Sequence, residues 1–200
     1  MPRAERREVI ERVATEVFAE RGYAGASIDE IARRAGVSAP VIYDHFASKR
    51  ELHERLLERT RDELLAMWTQ ALAGAESAAV RIPRSIEAWA AYVEEHPFAA
   101  RMYFREASGD PEVEAAHRRI HDQARAALTA IVGALPGAEA YGDSLEMAAE
   151  IIRSGLTGLA VWWSEHPEVP RAQIVETAIA VLWTGFEGVA SSHDSDEEAR

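Results

Sequence analysis

Apolar residues recur along this chain with the 3.6-residue period of helices rather than the two-residue alternation of strands, and helix-stop residues punctuate it at regular intervals. Ile10, Val13, Ala14, Val17 and Phe18 fall at i, i+3, i+4, i+7 and i+8, the stripe of a first helix that ends at Gly22, a residue suited to a left-handed stop. Ser27-Ile-Asp-Glu30 has the spacing of a capping box and opens a short second helix that buries Ile28, Ile31 and Ala32 and stops near Arg34. Ala35-Gly36-Val37 supplies a tight turn. Ser38 then stands where it can cap a third short helix, with Pro40 tolerated in its first turn and Ile42 and Phe46 facing inward. Ser48-Lys-Arg-Glu51 repeats the capping box and starts a long helix with the stripe Leu52, Leu56, Leu64, Met67, Trp68 and Ala71. Stops at Gly74, Pro83, Pro97, Gly109 to Pro111, Pro136 to Gly137 and Pro167 to Pro170 divide the remainder into about five more helices. The pattern predicts an all-α chain of about nine helices.

Composition adds limits. With 48% hydrophobic residues among 200, the chain can bury a sizeable core without staples. It has no cysteine, which excludes a disulfide scaffold, a thiolate zinc site and a cysteine nucleophile. The charged N-terminus lacks the apolar core of a signal peptide, and no run of about 18 apolar residues follows, so a cytoplasmic protein with no membrane role is expected. The net charge of −12 argues at first against nucleic acid, but the charge is unevenly placed. Residues 1–50 hold nine Lys and Arg against eight Asp and Glu, or +1, and the other 150 hold thirteen against twenty-six, or −13. That asymmetry fits a DNA-facing head on an acidic body; an acidic surface with a neutral N-terminus by chance accounts for it equally well.

Two short helices joined by a glycine turn can cross steeply, the second entering the major groove while the first crosses the backbone. With Ile42 and Phe46 buried, Ala39, Pro40 and Val41 would meet base edges, mostly thymine methyl groups, and Tyr43 and His45 would reach phosphates. Ser27, Ser38 and Lys49 stand at helix N-termini, where the dipole favours an anion. Each polar residue taken alone would serve as well on an ordinary solvated surface.

Taken together, Phe18, Gly22-Tyr23, Ser27-Ile28, Ile31-Ala32, Ala35-Gly36-Val37-Ser38, Ile42-Tyr43, His45-Phe46, Ser48-Lys49 and Leu52 resemble the DNA-binding domain of the TetR (tetracycline-repressor-like) family, across roughly residues 9–53. Ala26 stands where that family often has Thr, and Pro40 and Val41 replace the commoner Gly and Thr. The resemblance implies a homodimer on a palindromic operator, usually a repressor released by a small ligand.

The rest of the chain is less specific. Trp68, Trp89, Tyr92, Phe98, Met102 and Tyr103, with Trp162 and Trp163 further on, are bulky groups on several helices that could line a pocket for an apolar or aromatic effector or simply fill the core. His117 and His121 lie one turn apart with Glu114 before them, a spacing that suits pocket lining, half of a metal site or satisfied structural histidines. No second Glu-x-x-His motif accompanies them, and no metal or other cofactor is expected. Gly155, Gly158, Gly185 and Gly188 beside Leu159, Ile179, Leu182, Trp183 and Phe186 suggest two closely approaching helices, either a four-helix dimer seam or part of the monomer core. The expected organisation is a helix-turn-helix domain over 1–48, a ligand-binding and dimerisation domain over 49–190 and a disordered acidic tail over 191–200. No Ser/His/Asp set, phosphate-binding loop or dinucleotide motif appears, so a regulator is expected rather than an enzyme. If dimeric, it would carry its recognition helices about 34 to 36 Å apart, one turn of DNA.

Overall fold

A computed structural model describes residues 2–74, 76–105, 109–135, 138, 142 and 144–183. The fold is all-α, with nine α-helices and no strand among the described residues. The chain forms two compact units, residues 1–62 with 96–121 and residues 63–95 with 122–200, so each of two long helices contributes to both.

The first unit begins with α1 (Arg3–Gly25), α2 (Ile28–Ala35) and α3 (Ala39–Tyr43). Gly22 interrupts α1 with φ 68° and ψ 172°, so the periodic stripe does stop there, and one further turn runs to Gly25 before Ala26 leaves in extended backbone. Gly36 takes φ 68° and ψ 30°; its N–H reaches the Arg33 carbonyl at 3.4 Å, and the Val37 N–H reaches that of Ala32 at 3.0 Å. These bonds satisfy carbonyls that the end of α2 leaves open and turn the chain into α3. Ile10, Ala14, Val17, Ile31 and Ile42 are fully enclosed, with Phe46 beside them. The N-terminal part of α4 (Lys49–Leu72) adds Leu52, Leu56 and Leu57, α6 (Pro97–Phe104) packs on α1, and the first half of α7 (Pro111–Gly133) completes the unit.

Both capping boxes form, with different completeness. Ser48 Oγ accepts from the Glu51 N–H at 3.0 Å, and Glu51 returns a bond to the Ala47 N–H at 2.6 Å. Ser27 Oγ accepts from the Glu30 N–H at 3.1 Å, but Glu30 turns instead to Arg34 at 2.6 Å. Ser38 precedes α3 without a side-chain capping bond.

The second unit contains the rest of α4 and α7, α5 (Ala78–Glu95), α8 (Ser144–Glu165) and α9 (Arg171–Ala178), which continues as a π-helical turn over Ile179–Trp183. Pro83, expected to stop a helix, lies inside α5. It costs that helix one backbone bond, and Arg84 donates to the carbonyls of Ala71 and Ala73 at 2.7 Å each, holding the connection before it. Residues 184–200, with Gly185, Phe186, Gly188 and the tail, and the Pro136–Gly137 stop lie outside the described residues, as does the side chain of Trp183.

Ile42 holds α3 by packing alone. Ile42→Ala is expected to lower the unfolding free energy by about 2–5 kcal/mol, read from urea denaturation.

Candidate nucleic-acid interface and effector residues

The shape of α3 follows from its two anchors. Ile42 and Phe46 point into the first unit, and the opposite side presents Pro40, Tyr43 and Asp44 to solvent, with Tyr43 53% exposed and Ala39, Val41 and His45 half-buried. Arg3, at the start of α1, donates to the Asp44 carbonyl at 3.2 Å and so ties down the end of the short helix. Arg7 stands over the Phe46 ring at 5.4 Å and pairs with Glu11 at 2.8 Å, and Arg59 approaches the other Glu11 oxygen at 3.1 Å. A nearly buried carboxylate is therefore compensated by two guanidinium groups.

Lys49 has a different position from the one its place at a helix N-terminus suggests. Its Nζ donates to the carbonyls of Tyr23 at 2.9 Å and Ala26 at 3.0 Å and lies 4.2 Å from the centre of the Tyr23 ring. The break at Gly22 leaves these carbonyls without helical donors, and the ammonium supplies them. Ser27 is exposed, yet its oxygen already caps α2, whose first turn also carries Asp29 and Glu30. Arg33, which the sequence reading did not single out, is exposed on α2 and has no ion pair among the described residues. Its signal was faint: it stands beside Arg34, which is held by Glu20 at 2.9 Å and by Glu30.

The ten residues read as an effector pocket divide between the units. Trp68, Trp89, Tyr92, Trp162 and Trp163 belong to the second, and Phe98, Met102, Tyr103, His117 and His121 to the first. In the second unit Tyr92 donates to Glu63 at 2.8 Å, and Trp163 donates to the Val169 carbonyl at 2.9 Å, where it fastens the loop before α9. Trp89 is fully enclosed, yet its Nε1–H has no acceptor among the described residues. Trp162 is 43% exposed and stacks on His166 at 4.0 Å. In the first unit Phe98 is exposed, while His121 stacks on Tyr103 at 4.4 Å and its Nε2 lies 3.1 Å from the Tyr103 carbonyl. Met102 and His117 share a cavity of about 420 Å³. Glu114 is turned to the Gly109 N–H at 3.2 Å, and among the described residues no three carboxylates or imidazoles converge as a metal site.

The sequence reading also passed over His53. It is 4% exposed, edge-on to Phe18 at 4.8 Å and near Tyr23 at 5.2 Å, and its Nδ1 has no partner. Burial above all, then the proximity of His117 and Lys49, pushes its pKa down to about 4. It occupies an apolar stripe one position after Leu52, so its spacing reads as core and only its chemistry stands out.

Of the small residues read as a dimer seam, Gly155 and Gly158 differ. A Cβ on Gly155 would lie 2.9 Å from Leu182 of the same chain, whereas one on Gly158 would meet nothing within 4 Å. Leu159, Ile179 and Leu182 are half-buried.

A family model described as "Bacterial regulatory proteins, tetR family" matches residues 10–56. The "HTH-type transcriptional activator FasR" of Mycolicibacterium smegmatis is 32% identical over 195 residues, covering 94% of this chain and 86% of that protein. Among solved structures, a tetR-family transcriptional regulator from Streptomyces coelicolor has a TM-score of 0.75 at 25% identity, covering 100% of this chain and 87% of that one. The transcriptional regulator FadR from Bacillus subtilis, in complex with stearoyl-CoA, has a TM-score of 0.73 at 19% identity, covering 88% and 95%.

Two outcomes follow from the side-chain placements. Lys49→Ala is expected to lower stability by about 1–2 kcal/mol in urea melts. Tyr43→Ala is expected to leave stability within about 0.5 kcal/mol of wild type. For His53, the unfolded imidazole binds a proton near pH 6.5 and the folded one only near pH 4, so stability is complete above pH 6.5 and falls as pH drops through that window. The loss at pH 5 should be about 2 kcal/mol relative to pH 7.5, and a His53→Phe variant should lose correspondingly less over the same range, by urea titration at both pH values.

Proposed function

Because the chain belongs to the tetR family of bacterial regulatory proteins and is a DNA-binding transcriptional regulator, we propose that it binds a palindromic operator as a homodimer and that a small apolar effector controls its hold on DNA. The functional division is a DNA-binding domain over 1–48 and an effector and dimerisation domain over 49–190. The α3 side of the head supports this reading. Ala39, Pro40 and Val41 face the bases with apolar surface, Tyr43 and His45 reach phosphates, and Ser27, Ser38 and the exposed Arg33 hold the backbone. Lys49, with one N–H left for a phosphate, acts mainly by fixing the turn that carries α2.

The observation that carries the dimer is the outer stripe of α8. Met147 and Ile151 are 62% and 66% exposed, and with open Gly158 and Trp162 they form an apolar line opposite the buried Ala148, Ala149, Leu156, Ala160 and Trp163. A glycine inside a helix costs about 0.5–1 kcal/mol relative to alanine, and a Cβ on Gly158 would meet nothing within 4 Å among the described residues, so a partner helix fits here. Gly155 closes against Leu182 inside the monomer, and the seam therefore runs through Met147, Ile151, Gly158 and Trp162 rather than through every small residue of α8.

The enclosed, acceptor-less indole N–H of Trp89 favours an effector that brings a polar atom with its apolar body. The Bacillus subtilis regulator in complex with stearoyl-CoA makes a fatty acyl compound the first probe. Repression is the reading that the family resemblance implies; the name of the Mycolicibacterium smegmatis relative favours a second, activation. A single set of measurements tests the proposal. Wild type should sediment as a dimer and shift DNA from upstream of its own gene, and stearoyl-CoA should change that affinity. Ile151→Glu should sediment as a monomer and bind the same DNA at least about tenfold more weakly. A wild-type monomer without affinity for that DNA at low salt would refute the reading, and transcription from the bound promoter separates repression from activation.

A further inference from the structure

The cavity of about 420 Å³ inside the first unit is lined by the last turns of α1, by α4, by the end of α6 and by α7, and its chemistry differs from that of an apolar effector pocket. Three arginines line it: Arg21, Arg101 and Arg105. Arg101 and Arg105 lie one turn apart at the end of α6, where the Arg105 N–H reaches the Arg101 carbonyl at 3.3 Å. Neither has an ion pair among the described residues, and Arg101 Nε is buried without an acceptor. Arg21 approaches Glu30 at 3.9 Å, and Arg21 and Arg101 both lie near enough to the Glu20 carboxylate to help lower its pKa. The one carboxylate lining the cavity, Glu20, is bound to Arg34 at 2.9 Å. His53, 4% exposed, adds an Nδ1 with no partner to the same lining.

Buried donors are satisfied in folded proteins, and an unmatched guanidinium in a concave site calls for an anion. Among the described lining groups, three guanidinium groups stand beside one carboxylate that Arg34 already holds, and this positive surplus suits a phosphoryl group better than a single carboxylate. Phe18 and Met102 give the cavity apolar walls, and its volume lies within the usual range for small-molecule sites. A DNA phosphate on a convex duplex would not reach a buried imidazole. We propose that this cavity binds the phosphoryl group of a small molecule through Arg101 and Arg105, with Arg21 and His53 beside them. The site is separate from the α3 surface and involves none of the aromatic residues of the second unit.

The test uses the full chain without DNA and titrates inorganic pyrophosphate at constant ionic strength, followed by calorimetry and by the His53 imidazole resonances. Saturable binding is expected, accompanied by a rise in the His53 pKa from its low value, because a nearby anion favours the charged ring. Arg101→Gln and Arg105→Gln should each weaken binding by about tenfold or more, whereas Arg12→Gln, outside the cavity and paired with Glu16, should leave it unchanged. Arg105 is exposed, so its variant remains informative if Arg101→Gln fails to fold. Competition then identifies the carrier of the phosphoryl group. Displacement by stearoyl-CoA but not by stearate assigns it to an effector, and displacement by neither leaves an independent phosphorylated metabolite; both agree with the site. Absence of saturable binding, or binding that Arg12→Gln weakens as much as the cavity variants do, would overturn the proposal.

Discussion

Two backbone carbonyls, those of Tyr23 and Ala26, govern how the DNA-binding unit holds together. They are left without helical donors because α1 breaks at Gly22, and a turn with open carbonyls would be a poor base for the next helix. Lys49 reaches from the start of α4 and supplies both. One ammonium thereby joins three helices: the end of α1, the entry to α2 and the N-terminus of α4. The Tyr23 ring beneath it and His53 one turn further along α4 close the same corner, so the polar clamp rests on an aromatic cluster. The direction in which α2 and α3 leave α1 depends on this arrangement.

Charge pairing then decides what remains for a polyanion. The near neutrality of residues 1–50 conceals a selective use of their acids. Glu11 is held by Arg7 and Arg59, Glu16 by Arg12, and Glu20 and Glu30 by Arg34. These pairs fasten α1 internally, to α4 and to α2, and they remove the negative groups along with some of the positive ones. Arg33 on α2 is left outward without an ion pair, while the short α3 presents hydroxyl and apolar groups instead of a basic surface. Paired surface charges of this kind contribute little to stability each, so their larger effect is on which cations still face outward.

Much of this was legible in sequence because local rules and the fold agree at the head. The Ser48 capping box, the positive-φ Gly36 and the inward pair Ile42 and Phe46 each depend on neighbours within a few positions, and periodicity finds them. The two carbonyl bonds of Lys49 leave no such trace, because its partners stand 23 and 26 positions earlier, beyond any local pattern. Pro83, a stop by local rules, is the sixth residue of α5, so the helix runs through it at the loss of one backbone bond. The aromatic residues of the later helices were harder still. Trp163 is fastened to a loop carbonyl while Trp162 beside it lies outward, although the two are the same residue type on one helix. The arginine-lined cavity assembles residues from four helices far apart in sequence, so that only the Arg101 and Arg105 spacing could be seen in one dimension.

The brevity of α3 has an evolutionary side. Its five residues divide two tasks: Ile42 is enclosed, Pro40 and Tyr43 are exposed, and Ala39 and Val41 are half-buried between them. Substitutions at the outward positions leave the Lys49 clamp and the Ile42 anchor intact, so they can accumulate with little penalty to folding. With Ala39 to Val41 meeting the bases as proposed, a duplicated gene could acquire a new operator through one or two changes while keeping its scaffold.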